Sequence, residues 1–383
     1  MRKTFEFRIR PTRAQERRLL ATLSACRFVY NWAVADRRDL WNLCHVSTNF
    51  CDQSKYLKIL KAENPWLSDV HAHPLQDALK RVDLAFQAFF RRCKSGEKSG
   101  HPRFKGRDWY DSFTFKEWGN GALFSGKRLS LSKIGRVRIV LHRPVDGEIR
   151  TCTIRRKADG WYATFSVEIA ISVSLTGIDN PVGLDVGLAS FATLSTGEKI
   201  ENPRHLRANE RKLKIAQRKV SRRKNCGHRR RVAVQHLALE HQRVARTRKD
   251  FHFKIARDLA GRFSPIFVED LRVGNMLKNH SLAKSISDAA WGQFLGILSR
   301  QAESAAGAVI RVEARGSSQE CSRCGCIVPK DLSVRIHVCP RCGLMMDRDE
   351  NSANVIMNRG LGRAIGEGWA TKLAPRIREA APL

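Results

Sequence analysis

The spacing of apolar residues along this chain changes period more than once, and each change marks an element. The opening KTFEFRIR alternates apolar and polar residues as a half-buried strand does. PTRAQ follows, where Thr12 and Gln15 have the spacing of a capping box and so predict a helix start. Leu19, Leu23, Val29 and Trp32 keep roughly helical spacing through that helix. After a loop, Leu75, Leu79, Val82, Phe86 and Phe89 step by 4, 3, 4 and 3. They mark an amphipathic helix with Gln76, Lys80, Asp83 and Gln87 on its other faces. It runs out in CKSGEKSGHPRFKGR, a Gly/Lys-rich linker.

From about 113 to 170 the period becomes two. SFTF, RLSLS, RVRIVLH, IRTCTIRRK and WYATFSVEIA read as short strands separated by turns such as VDGE and ADGW. They predict a small barrel or sandwich that continues from the first strand, with the helices inserted into it. Turn-forming residues at 173–181 mark a boundary. PVGLDVGLASFATLSTGEKI then reads as a hairpin with STGE as its turn, and residues 204–262 as strongly helical. SPIFVEDL and AVIRVEA are two more strands, with an amphipathic helix from Trp291 to Ala305 between them. NSANVIMNR is a short helical pattern, residues 367–383 read as a poorly ordered tail, and no internal repeat is visible.

A chain of 383 residues is too long for one ordinary core and predicts two or three domains. Its formal charge of +33, from 70 Lys+Arg against 37 Asp+Glu, calls for a polyanionic partner, and nucleic acid is the obvious one. The helical stretch 204–262 carries Arg218, Arg222, Arg223 and many other cations without the acids needed to pair them along the helix. That favours a phosphate-facing surface. A membrane is disfavoured, since no segment approaches a spanning helix and MRKTFEFRIRPT has no apolar h-region. The eleven Cys then read as cytosolic thiols rather than a disulfide framework.

Two sets of residues carry chemistry. Cys321-x2-Cys324 and Cys339-x2-Cys342, with fourteen residues between the pairs, can supply four thiolates to a tetrahedral structural Zn²⁺. Gly325 and Gly343 follow the second Cys of each pair, where a knuckle turn needs positive φ. Asp185, flanked by Gly183 and Gly187, Glu269 at the end of an apolar run, and Asp349 before NSANVIMNR lie 84 and 80 residues apart. Singly they read as a turn residue, an exposed strand-end acid and a helix N-cap. If they converge, they can hold Mg²⁺ for phosphodiester cleavage. Spacing alone does not bring them together.

GLDVGLASFATLSTG, QRKVSRR, FVEDLRVGNM and SSQECSRCG…CPRCGLMMDRDENSANV resemble the TnpB (OrfB) proteins of bacterial insertion sequences, relatives of the small type V CRISPR effectors. The resemblance extends over nearly the whole chain, including KTFEFRIRPTRAQ…CRFVYNWAV and QDALKRVDLAFQAFF…HPRFKG. It implies a multidomain α/β plus β-barrel architecture. An N-terminal wedge-like barrel (1–12 and 106–176) would carry a helical recognition insertion (13–105), and an RNase H-like (RuvC) nuclease domain (177–316 and 346–366) would carry an inserted zinc ribbon (317–345). It further implies a catalytic triad Asp185, Glu269 and Asp349 holding Mg²⁺, two ions in all, and RNA-guided cleavage of double-stranded DNA beside a short transposon-associated motif. The guide RNA would derive from the transposon end, and the protein would be a monomer in the bacterial cytoplasm, on the nucleoid. Gln76, Lys80, Ser112 and Thr114 are candidate contacts to the duplex beside the target. Two departures stand out: an extra Cys326 between the knuckles, and no Tyr-Lys in LSRQAESAAG.

A guided DNA-binding regulator without cleavage is the main alternative, and the intact triad speaks against it. A strand-transfer transposase is disfavoured by the lack of a matching Tyr-nucleophile motif, with only four Tyr present. A plain zinc-ribbon RNA-binding protein would leave the acids idle.

Overall fold

The computed structural model describes residues 2–169, 180–331 and 333–366. The boundary at 173–181 lies for the most part outside the described residues, and the tail 367–383 lies wholly outside them. The chain divides into two compact units, 1–171 and 172–383.

The first unit begins with β1 (Arg2–Arg10) and α1 (Arg13–Cys44). α1 starts where the capping box predicts: Gln15 N donates to Thr12 Oγ1 at 3.3 Å and Thr12 N to Gln15 Oε1 at 3.0 Å. The segment read as a loop after it holds a second helix, α2 (Phe50–Glu63). Asn49 and Asp52 cap that helix reciprocally, and only Gln53, Leu57 and Leu60 are buried, which is why its periodicity is faint in the sequence. α3 (Ala72–Lys94) buries Leu75, Leu79, Val82 and Phe86 against α1 and β2. The remaining strands are β2 (Ser112–Phe115), β3 (Ala122–Ser125), β4 (Arg128–Leu131), β5 (Gly135–Ile139), β6 (Glu148–Lys157) and β7 (Gly160–Glu168). They pair in the order β2-β6-β7-β1-β5-β4-β3, antiparallel throughout, so the first strand sits mid-sheet between β7 and β5. Beyond the end of β2, Trp118 N donates to Arg150 O of β6 at 3.1 Å. The Trp118 ring lies 4.9 Å from Phe124 and 5.4 Å from Phe165, which leaves a nearly closed barrel.

The second unit comprises β8 (Val182–Val186), β9 (Ser190–Leu194), β10 (Lys199–Glu201), α4 (His205–Ser221), α5 (His228–Arg262) and β11 (Ile266–Glu269). α6 (Val273–Met276), α7 (Ala283–Ala289), α8 (Trp291–Ser304), β12 (Val309–Val312), β13 (Ile336–Val338), β14 (Met345–Asp347) and α9 (Arg348–Gly366) complete it. The stretch expected as one hairpin makes two reversals. STGE is a turn, with Leu194 N bonded to Glu198 O at 2.9 Å, and a tighter return at Gly187 bonds its N to Phe191 O at 3.2 Å. The sheet order is β10-β9-β8-β11-β12, with β8, β11 and β12 parallel. β13 and β14 form a separate ribbon.

Alternation decides what each face of this sheet meets. Val182, Leu184, Ile266 and Val268 pack with Ala256 and Leu259 of α5 and Phe294 and Leu298 of α8. Phe267 and Val312 face the other way and meet Ile356 of α9. α9 comes very close at two glycines. A Cβ on Gly183 would fall 1.9 Å from Ala353 O, and one on Gly360 would fall 2.0 Å from the Phe267 ring. No helix among the described residues is long and apolar enough to cross a membrane.

Candidate functional site

Those close approaches set the acid cluster. Asp185 is two residues beyond Gly183 on β8 and therefore on the face that meets α9. Asp349 is four residues before Ala353, one helical turn toward the start of α9. Glu269 ends β11 two residues after Phe267, again on the α9 face, and β11 runs parallel to β8 with Val268 opposite Leu184. Three segments far apart in sequence thus deliver their carboxylates to one face at one end of the sheet.

The electrostatics agree. Burial pushes the Asp185 carboxyl well above its usual range, the Glu269 and Asp349 charges push it further, and Arg348 opposes them. Glu269 is also raised by burial, against a hydrogen bond from Ser317 and the charge of Arg359. Arg348 bonds Asp349 Oδ1 through Nε at 3.2 Å and Nη2 at 3.1 Å. The three side chains offer only carboxylate oxygens, the donor set a hard divalent ion takes, although these oxygens do not all lie within 4.8 Å of one another as the four sulfurs do.

Asp347, two residues away, has a different occupation. Its Oδ1 accepts from Asp349 N at 2.9 Å and Glu350 N at 3.2 Å, so it caps α9, and its Oδ2 meets Lys199 Nζ at 2.6 Å. Burial raises its pKa, but the Lys199 ammonium and those two N–H groups outweigh it and leave the carboxyl below its ordinary value.

The cysteines form the other cluster. The four sulfurs of Cys321, Cys324, Cys339 and Cys342 lie within 4.8 Å of one another, the one such group of potential ligand atoms among the described residues. Cys321 and Cys342 are 3.6 Å apart and Cys324 and Cys339 3.5 Å. An ion with metal–sulfur bonds of about 2.3 Å sets tetrahedral edges near 3.8 Å, so the cage is the right size. Each pair is wound by the same turn: Gly325 N bonds Cys321 O at 2.9 Å and Gly343 N bonds Cys339 O at 3.0 Å, with φ of 70° and 71° at the two glycines. The backbone N–H of Cys342 draws the Cys339 thiol down to about 6. Cys326 packs against the cage without being one of its four sulfurs, and its thiol donates to Ile327 O at 3.8 Å.

The remaining candidates fall in two places. In the first unit, Arg81 of α3 bonds Ser112 Oγ at 3.2 Å and Thr114 Oγ1 at 3.3 Å, while Lys80 pairs with Asp83 at 3.0 Å. Gln76 is half-buried on the same helix. In the second unit, Arg218, Arg222 and Arg223 are exposed at the end of α4. Sequence reasoning gave no role to Ser317 or Asn351, both buried and both bonded between the two clusters; Ser317 lies four residues before a Cys pair, and Asn351 served only to mark Asp349 two residues before it.

Over 380 residues the chain is 33% identical to a "Putative RNA-guided DNA endonuclease" of Streptomyces pristinaespiralis, covering 96% of this chain and 92% of that protein. The OrfB IS605 model, described as "Probable transposase", matches residues 165–280. This chain belongs to the OrfB (TnpB) family. A Cas12f1-like TNB domain model matches residues 291–356, and the family's "Helix-turn-helix domain" model matches residues 1–43, which here form β1 and most of the single helix α1. The OrfB relative "Putative RNA-guided DNA endonuclease InsQ" of Escherichia coli K12 is 29% identical over 343 residues, 84% of this chain and 83% of that one. A solved structure of the mini-RNA-guided endonuclease CRISPR-Cas_phi3 superposes with a TM-score of 0.47 at 10% identity, over 94% of this chain and 92% of that one.

Proposed function

We propose that this chain is an RNA-guided DNA endonuclease of an insertion sequence, cutting duplex DNA beside a short transposon-associated motif. The observation that carries the proposal is the meeting of Asp185, Glu269 and Asp349 on one face of the β8–β11 sheet. In this reading the five-stranded sheet with its two helical layers is an RNase H-like (RuvC) nuclease domain, residues 177–316 and 346–366. The cysteine segment 317–345 is its inserted zinc ribbon, and the barrel with its helices at 13–105 is the guide- and target-recognition half.

Asp185, Glu269 and Asp349 would hold two Mg²⁺ ions, and Cys321, Cys324, Cys339 and Cys342 one structural Zn²⁺. Bound there, Mg²⁺ supplies activation of an attacking water and charge stabilisation of the departing 3′ oxygen. The protein's own part is to fix the carboxylates. β8 and β11 carry Asp185 and Glu269 on one face, α9 brings Asp349 toward them, and Arg348 faces Asp185 and Asp349 while Arg359 faces Glu269. Sequence is read by guide pairing, and the exposed cations of α4 and α5 hold phosphates without regard to base.

The test is to purify the chain from cells carrying its element, sequence the RNA that accompanies it, and offer a duplex matching that RNA. Cleavage that needs the RNA and Mg²⁺ and is lost in Asp185→Ala is expected. Guided binding with no cut by the wild-type chain would favour a regulator, and sequence-specific cutting by RNA-free protein would overturn the guided reading.

A further inference from the structure

We propose that Ser317 is a positioning residue for Glu269, set in place by the first cysteine knuckle. The inference rests on the nuclease reading above and adds to it a part of the machinery that lies outside the acids.

Glu269 is the last residue of β11, so its backbone is fixed on one side only, and its long side chain has several rotamers open to it. Its carboxylate receives a hydrogen bond on Oε1 from Ser317 Oγ. Ser317 is only 4% exposed, and its own backbone sits in a tight turn where Gly316 (φ 77°) accepts from both Gln319 N and Glu320 N at 3.0 Å. One bond to Oε1 leaves Oε2 for an ion, the arrangement by which outer groups orient metal-binding carboxylates.

The turn is pinned in its own right. Asn351, fully buried, grips both sides of Cys321: its Nδ2 donates to Glu320 O at 2.7 Å, and its Oδ1 accepts from Ser322 N at 3.0 Å. The Glu320 carboxylate meets Arg359 at 2.5 Å, and Arg359 also donates to Glu313 O at 2.7 Å. Asn351 and Arg359 both belong to α9, the helix that carries Asp349. Two of the three acids are therefore referenced to the same few residues around Cys321: Glu269 through Ser317, and Asp349 through Asn351. Nothing about DNA contact by the ribbon requires this arrangement, whereas alignment of the carboxylates does.

The test uses the full-length, zinc-loaded chain, with Mn²⁺ as the probe ion followed by the paramagnetic resonance signal of the free ion. Ser317→Ala, which removes the donor and leaves the turn, should weaken Mn²⁺ binding about tenfold and lower the cleavage rate comparably, with target affinity unchanged. Ser317→Thr, which restores a hydroxyl, should recover most of both. Asp185→Ala is the control for the site itself and should lose Mn²⁺ binding outright. Normal Mn²⁺ binding by Ser317→Ala, or no recovery in Ser317→Thr, with the control behaving as stated, overturns the role of Ser317 alone. Unchanged binding in both Asp185→Ala and Ser317→Ala overturns the acid site and this inference with it.

Discussion

The cysteine cluster and the acid cluster both border α9, yet they are built on opposite plans. Each cysteine pair is a four-residue turn that winds itself, with its own glycine and its own N–H···O bond, and only the joining of two such turns is long-range. The acids have no local device at all. Asp185, Glu269 and Asp349 come from two strands and a helix start, and they meet because α9 fits into the space left by the absent side chain of Gly183. The cysteine site therefore depends on its ion and the acid site on packing. A defect in the acid site need not touch the cysteine site, whereas loss of the ion reaches the acids through Ser317 and Asn351.

The largest effect should come from removing the ion on which the first plan depends. Among the described residues of the ribbon, Cys321, Cys339 and Leu344 form the buried apolar cluster, far too little to fold a segment of this length unaided. Cys339→Ser/Cys342→Ser should bind no zinc, expose residues 317–345 to protease and abolish cleavage, while the seven-stranded barrel keeps its protection. Metal analysis and limited proteolysis read this directly. Full zinc occupancy in that variant would defeat the assignment of the four thiols.

The same contrast explains what the sequence could tell. Spacing of two and fourteen residues is a local property, so the cysteine cage was readable from the chain alone. So were α1 with its Thr12 cap, the apolar face of α3 and the period-two strands, all of which report on nearest neighbours. The convergence of three acids was not readable from spacing, because it depends on a parallel pairing of β8 with β11 and a helix returning over both. It entered as an expectation carried by resemblance. The helix α2 escaped because it buries only Gln53, Leu57 and Leu60, and the second reversal at Gly187 and the roles of Ser317 and Asn351 escaped because their signals are single glycine or polar residues.

Within the acid cluster, Asp349 and Asp347 differ by two positions and by function. Asp349→Ala should drop cleavage by about a thousandfold or more, judged by the several kcal/mol a metal-held charge supplies, while guided target binding persists. Asp347→Ala removes the α9 cap, worth about 1 kcal/mol, and a half-exposed pair with Lys199 that is worth little; it should stay within about tenfold of the wild-type rate. Cleavage assays at saturating Mg²⁺ decide it. If the ranking came out reversed, the metal site would have to be redrawn around Asp347.

Two glycine substitutions sharpen the distinction between winding and packing. Gly183→Ala forces a methyl to within 1.9 Å of Ala353 O and 2.9 Å of Met357 N, both backbone, so α9 must retreat. About 1–3 kcal/mol of stability should go, and cleavage should fall up to about a hundredfold as Asp349 moves with the helix. Gly325→Ala meets nothing within 4 Å and suffers only from its φ of 70°, a cost of about 1–2 kcal/mol confined to one knuckle. Zinc content should be nearly normal there, and rates close to wild type. Equal damage to cleavage from both would mean the acid cluster is not set by helix packing.

The smallest effect concerns acidity and runs in opposite directions at the two clusters. Burial, and then the charges of Glu269 and Asp349, hold the Asp185 carboxyl well above its ordinary pKa, so without metal its ionised form costs the native state stability. For an acid raised on folding, that cost is absent below the unfolded value of about 4 and grows as pH rises through the folded value. Asp185→Asn should accordingly raise the melting temperature of the zinc-loaded, Mg²⁺-free protein by a few degrees at neutral pH, and the gain should shrink toward pH 4. Adding Mg²⁺ should reverse the order, since only the wild type gains from binding it. The cysteine cage responds the other way: thiolates take up protons as pH falls and release their ion, so acid loosens the ribbon while it relieves Asp185. Calorimetry of the two zinc-loaded, Mg²⁺-free proteins across that pH range is sufficient. A lower melting temperature for Asp185→Asn at neutral pH would mean that the Arg348 charge outweighs burial and repulsion, and that Asp185 stabilises the fold rather than straining it.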